Sequence, residues 1–425
     1  MMIVPPHKIN SIVRNDGIAD QTMRAWMDEL TDEVNGRFVV GNEWVIRSLG
    51  DFKRAGAVFS GDEISVPPDT CISVKSHIDI TPYRLILEGN AAIVGTNAET
   101  ASLYSNISSG SMIYSNSIVN LRDITLSTSA GSYCVEVDGT SNPLAVVDWF
   151  AVNFTAGKVA KFTNLANVNI ILIGILDPDN GIDFFGTFGT IATAETILSL
   201  SGSGKIAYNF DPGVIITRRI RFNFCAFVIS GGATGVNLPT SATIPDDTFI
   251  IFFCNFAGGG AYISGGLTNT SLKSRWYENR GITNTYRGAM LFVENNATAT
   301  TITTPGTYYK MAGITAPLAG NSGLSHSNNR LTSTSVVSKL YDIKYSVTFT
   351  GTANNVAGFK IYQNGVEVAG SKSRATANAA GRAENVTGFA PVVLALGDYV
   401  EIWTTNETAA NAVTGVDYNL YAVEI

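Results

Sequence analysis

Charge is scarce in this chain. Asp, Glu, Lys and Arg make up 15 % of its 425 residues, against roughly 25 % in ordinary soluble domains. The formal balance is −7, and no run of Lys and Arg offers the counterion-displacing cluster that a duplex needs, which argues against a nucleic-acid partner. Histidine is scarcer still. His7, His77 and His326 lie far apart with no metal-ligand spacing. Cys71, Cys134, Cys225 and Cys254 form no CxxC pair, so zinc, redox and disulfide-framework roles lack support and free buried thiols are expected. No apolar run approaches the ~20 residues of a membrane span, and the start "MMIVPPHKINSIVRNDG" has no stretch of signal-peptide type. A protein made in a cytoplasm and not inserted into a membrane is expected.

Helical pattern is also nearly missing. The segment "IADQTMRAWMDELTDEVNG" places Met23, Trp26, Met27, Leu30 and Val34 on one stripe, between Asp20 as a cap and Asn35-Gly36 as a stop. A lone helix of this length is marginal in water. Trp26 and Leu30 therefore need a partner, either the chain's own β-body or the same helix in other copies. Residues 1–36 read as an anchoring peptide and helix.

What the chain has in plenty is short β-strands broken by Gly, Asn, Ser and Asp. From residue 37 to about 296 these include "RLILEG", "LAVVDWFAVNF", "VNIILIGI", "RIRFNFCAFVIS" and "TFIIFFCNFAG", and no convincing helix interrupts them. Strands apolar on both faces must be covered on both; without helices the cover is another β-layer or another chain. "FCAFVISGGA" at 224–233 and "FCNFAGGGA" at 253–261 set Cys225 and Cys254 in like surroundings, the weak echo expected of irregular β-helix rungs. A large irregular sandwich is the alternative.

Residues 297–425 read as one antiparallel domain. In "KIYQNGVEVAGS", Asn364-Gly365 suits a two-residue I′ turn, which sets Gln363 opposite Val366 and Tyr362 opposite Glu367, with Ile361, Val366 and Val368 turned inward. In "GDYVEIW", Val400 and Ile402 share one face. Tyr399, Glu401 and Trp403 share the other, an aromatic row that a lone domain exposes and a subunit neighbour buries.

With these residues in view, the last third resembles the complement/tumour-necrosis-factor-like jelly roll found at the C-termini of bacteriophage fibre proteins. The resemblance rests on "TTITTPGTYYKMAG", "KIYQNG", "LALGDYVEIW" and "NLYAVEI". It implies a sandwich that assembles as a homotrimer about a threefold axis. The layout of a short helix, a β-helical shaft and a terminal domain is similar to phage tail fibres and tailspikes. That likeness implies a virion component, attached to tail or capsid through its N-terminal residues. Tailspikes usually carry a sizeable particle-binding head domain; here residues 1–36 must serve instead.

Candidate chemistry is thin. Asp177, Asp179 and Asp183 crowd "ILDPDNGIDFF", but the spacing breaks the calcium-loop pattern at Gly181, and a solvated turn is the simpler reading. Adjacent Asp246 and Asp247 point opposite ways along a strand and make no glycosidase pair by themselves. Arg275, Trp276, Tyr277 and Glu278 in "KSRWYENRG" combine aromatic faces with charged hydrogen-bonding groups, the set a sugar ring needs; the competing reading is a rung edge with Trp276 buried. No cofactor and no catalytic residue is identified. The expectation is an all-β, trimeric adhesin that binds bacterial surface polysaccharide. The alternatives are a depolymerase using a carboxylate pair from different rungs and a secreted lectin outside any virion.

Overall fold

A computed structural model describes residues 42–425 apart from 177, 286, 319–321 and 336–337. The expected helix with Trp26 and Leu30 lies outside the described residues. The described residues are nearly all β, with a β-solenoid of about nine turns followed by antiparallel sheets. Contacts divide the chain into two compact units. Of the described residues, one comprises 42–215 with Phe224–Asn237 and Ala257–Tyr262; the other comprises Ile216–Asn223, Leu238–Phe256 and Ile263–Ile425.

In the first unit, parallel strands stack with the same positions in register. One column on its first sheet runs Trp44, Ile72, Ile93, Leu121, Trp149, Ile170, Thr193. A second sheet stacks Ile113, Val135, Ala160, Ile182, Tyr208 and Val236. Like positions above one another fill the interior, since every parallel pair brings its inward side chains to the same face. Phe162, Phe184 and Phe210 share a column, with ring centroids 5.7 and 4.6 Å apart. On the other face of these strands, Asn209 donates to buried Asp183 and Asn237 donates to Asn209, each at 2.8 Å, so polar side chains also ladder from coil to coil.

Corners explain why the repeat is faint. Asp123, Ala151, Leu172, Glu195 and Phe224 each take a positive φ between 50° and 54°. One left-handed residue bends the strand there and lets the next side chain return inward. These corners fall 21 residues apart from 151 to 172 but 29 apart from 195 to 224, so no fixed period marks the sequence. The second unit repeats the device at Phe253 and Glu278. The cysteine echo is real: Cys225 and Cys254 each follow a left-handed Phe and are buried. Their thiols point at main-chain carbonyls of the preceding rung, Thr193 at 3.7 Å and Phe222 at 3.5 Å respectively. All four cysteines are free, and Cys71 alone is half-buried.

One expectation fails here. A helix, Leu49–Ala55, does interrupt the strands: Asp51 caps it by accepting from the Ser48 amide at 2.9 Å, and Gly56 ends it at φ 99°. It buries Phe52 only, so its apolar stripe is too narrow to show as a period.

The second unit holds the jelly-roll sandwich. One sheet orders Ala316–Pro317, Gly288–Val293, Thr414–Glu424, Lys339–Thr350 and Glu384–Leu394; the other orders Leu324–Ser327, Arg330–Ser333, Tyr399–Asn406, Val356–Gln363 and Val366–Glu367. Between them lie Tyr341, Ile343, Tyr345, Val347, Phe349, Phe359, Ile361, Val400, Leu420 and others, nearly all without solvent contact. Tyr345 lies over Gly388, its register partner, where a Cβ would meet the ring at 2.4 Å; its hydroxyl donates to the Phe359 and Ser371 carbonyls at 3.1 Å. The Asn364-Gly365 hairpin has the expected register, and both turn residues have positive φ. Val366, however, is exposed rather than inward. The Val366–Glu367 strand is two residues long and, among the described residues, pairs with Val356–Gln363 alone.

Candidate functional site

Three parallel strands of the second unit build an outward face. Register sets Arg221 beside Ile250 beside Arg275, and Asn223 beside Phe252 beside Tyr277. Period-two alternation decides what shows. Along Ser274–Tyr277 the first and third side chains are buried and the second and fourth exposed. Trp276 therefore turns inward, 4 % exposed, with its ring 5.7 Å from Phe249. The Thr285 hydroxyl fixes this strand by accepting from the Trp276 amide at 2.6 Å. Of the four residues expected to form a sugar site, Arg275, Tyr277 and Glu278 reach the surface and Trp276 does not.

Other residues, unremarked in the sequence, join them. Phe252 contacts Phe253 at 4.3 Å and Tyr277 at 4.5 Å between ring centroids. The left-handed turn at Phe253 leaves that ring outside. Arg221 donates to Asn223 at 3.1 Å, and burial, followed by the nearby Arg219 charge, draws the pKa of its guanidinium down. The signal was available in "ITRRIRFN" and "FIIFFC", but only the register shows that these arginines and rings share a face.

The aromatic row of the jelly roll, which alternation alone leaves exposed, is half-buried by its own chain. Tyr362 stacks on Trp403 at 4.2 Å, the Arg330 guanidinium sits 4.2 Å over the Tyr399 ring, and Lys310 pairs with buried Glu401 at 2.5 Å. Neighbouring strands supply long side chains that alternation alone does not reveal. A contiguous apolar patch is exposed on the opposite sheet. Phe389, Val393 and Leu340 point outward at 67 %, 56 % and 41 % exposure; Leu340 lies directly opposite Val393, and exposed Pro391 lies between Phe389 and Val393 on the same face. "GFAPVVLAL" shows apolar residues on both parities, the pattern that demands cover on both faces.

The remaining candidates have structural partners. Asp183 accepts from the Tyr133 hydroxyl at 2.6 Å, and Asp179 accepts from the Gly131 amide at 3.0 Å; residue 177 lies outside the described residues. Asp247 belongs to a buried ion cluster: Arg287 donates to it at 2.7 Å, Lys339 lies 2.6 Å away, and both cations also approach Glu424. His77 and His326 bond to hydroxyls of Ser102 and Thr315. Among the described residues no group of His, Cys, Asp or Glu is arranged to hold a metal. No helix among them is long and apolar enough to cross a membrane.

No family model and no curated protein matches the chain. Solved structures similar to about a third of it include murine APRIL, at 13 % identity over 33 % of this chain and 100 % of that one, TM-score 0.24. Eiger TNF from S. frugiperda matches at 8 % identity over 33 % and 92 %, TM-score 0.24. The PRD1 vertex protein P5 matches at 13 % identity over 32 % and 96 %, TM-score 0.24.

Proposed function

We propose that the chain is a homotrimeric structural and host-recognition protein of a bacteriophage particle, which displays a glycan-binding surface on a rigid β-solenoid. The observation that carries this reading is the outward face of the jelly-roll sheet at Leu340, Phe389, Pro391 and Val393. Each large apolar side chain left there forgoes roughly 1.5–3 kcal/mol that burial supplies. Two further copies of the same chain are the occupants that the phage-fibre resemblance implies, closing a ring rather than an open chain of contacts. Three copies in register then turn weak single-site sugar contacts into avidity, and the ladder-paired solenoid limits the entropy lost on engagement. The N-terminal residues attach the trimer to the particle in this reading.

Multi-angle light scattering on the full chain at micromolar concentration tests it. The expected mass is near three times 45.2 kDa, and Phe389→Asp shifts the protein to monomer by placing a charge in the seam. A wild-type monomer overturns the trimer. Incubating the trimer with a polysaccharide it binds and assaying reducing ends separates adhesion from depolymerisation, because released oligosaccharide replaces the adhesin with the hydrolase.

A further inference from the structure

The outward face of the three parallel strands in the second unit has a charge that the whole chain lacks. Against a formal balance of −7, Arg218 and Arg219 are exposed on one strand, and Arg275 and Arg280 are exposed on or just after another. The stretch Ser274 to Arg280 offers a single carboxylate, Glu278. Among the described residues no carboxylate pairs with Arg219 or Arg275. Several arginines elsewhere, Arg84, Arg122 and Arg287 among them, do have an acidic partner, and Arg330 lies over the Tyr399 ring instead. Arg219 and Arg275, which have no ion-paired carboxylate among the described residues, are open to an anion supplied from outside the chain.

Aromatic surface adjoins the charge. Tyr277 and Phe253 are 37 % and 41 % exposed and meet through Phe252. Arg275 and Tyr277 stand two residues apart on one face of one strand, so ring and guanidinium are offered side by side. Parallel strands about 4.8 Å apart hold these groups at fixed intervals, without the entropy cost of ordering a loop. A free phosphate or carboxylate has no use for the rings, whereas a sugar carrying an acid group uses both.

We propose that the face bearing Arg219, Arg221, Arg275, Phe252, Phe253 and Tyr277 binds an acidic polysaccharide, with guanidinium groups on its carboxylates or phosphates and rings on its sugar faces. This names the ligand class for the glycan-binding reading above and rests on it. The test titrates the full-length protein against end-labelled polysialic acid, hyaluronan and alginate, against neutral dextran and pullulan, and against a DNA duplex. At least one acidic polysaccharide binds, and its affinity falls about tenfold or more between about 50 and 300 mM NaCl, as screened charge contacts require. Arg275→Gln and Tyr277→Ala each weaken binding about tenfold, while Arg382→Gln on the jelly roll leaves it unchanged; circular dichroism confirms that the variants are folded.

Equal binding of neutral and acidic chains overturns the acidic preference and leaves the glycan reading standing. Acidic binding indifferent to both variants overturns the site. Failure to bind any acidic chain overturns the proposal, and preference for the DNA duplex over every polysaccharide overturns both readings.

Discussion

Phe184 and Tyr345 are both buried aromatic residues in β-structure, yet they are held in opposite ways. Phe184 meets Phe162 and Phe210, one coil away on either side, and the same column rule supports every neighbour. Tyr345 depends on one gap above Gly388 and on carbonyls from two other segments. In a solenoid the stabilising contacts are near-neighbour and repeated, so stability is close to a sum over coils. In the jelly roll, Lys339–Thr350 pairs with Thr414–Glu424 from the far end of the chain, which ties the whole sandwich into one cooperative step.

The sharpest way to break this comparison is Phe184→Ala. Removing a fully buried ring costs about 4 kcal/mol, and in urea the solenoid transition is expected to move while the jelly-roll transition stays. An equal shift of both would show a single cooperative body. Next comes Arg287→Met, 5 % exposed in the wild type, which leaves Asp247 and Glu424 with Lys339 alone. Breaking such a buried cluster costs about 3 kcal/mol, expected as a lowered melting temperature of the jelly-roll unit; a loss under about 1 kcal/mol would mean that water reaches the cluster.

The smallest effect is alkaline. Burial pushes the phenols of Tyr341 and Tyr418 up to about 12, with the Glu424 charge adding to the first. A group raised in the fold contributes fully below its unfolded value of about 10 and loses that contribution as pH climbs through the folded value. The jelly roll should therefore weaken between about pH 10 and 12, and Tyr418→Phe should flatten the loss in melts recorded across that range. An unchanged slope would show that other groups govern alkaline unfolding.

Much of this was legible in the residues. The Asn364-Gly365 turn fixed its own register because two consecutive positive φ values admit few alternatives. Paired Phe-Cys steps at 224 and 253 revealed stacked rungs because inward positions repeat even where coil length does not. The helix Leu49–Ala55 escaped notice since a single buried Phe52 makes no stripe.

By itself the sequence determined the class of the protein. Low charge and strands apolar on both faces leave layered β-structure as the way to bury them. Only the tertiary structure decided which surfaces remain for other molecules. Alternation says that a side chain leaves the strand on a given side, but exposure depends on what neighbouring strands lay over it. Thus Trp403 is covered by Tyr362, Phe389 is left bare, and Arg221 and Arg275, far apart in the chain, stand on either side of one strand because parallel register puts them there.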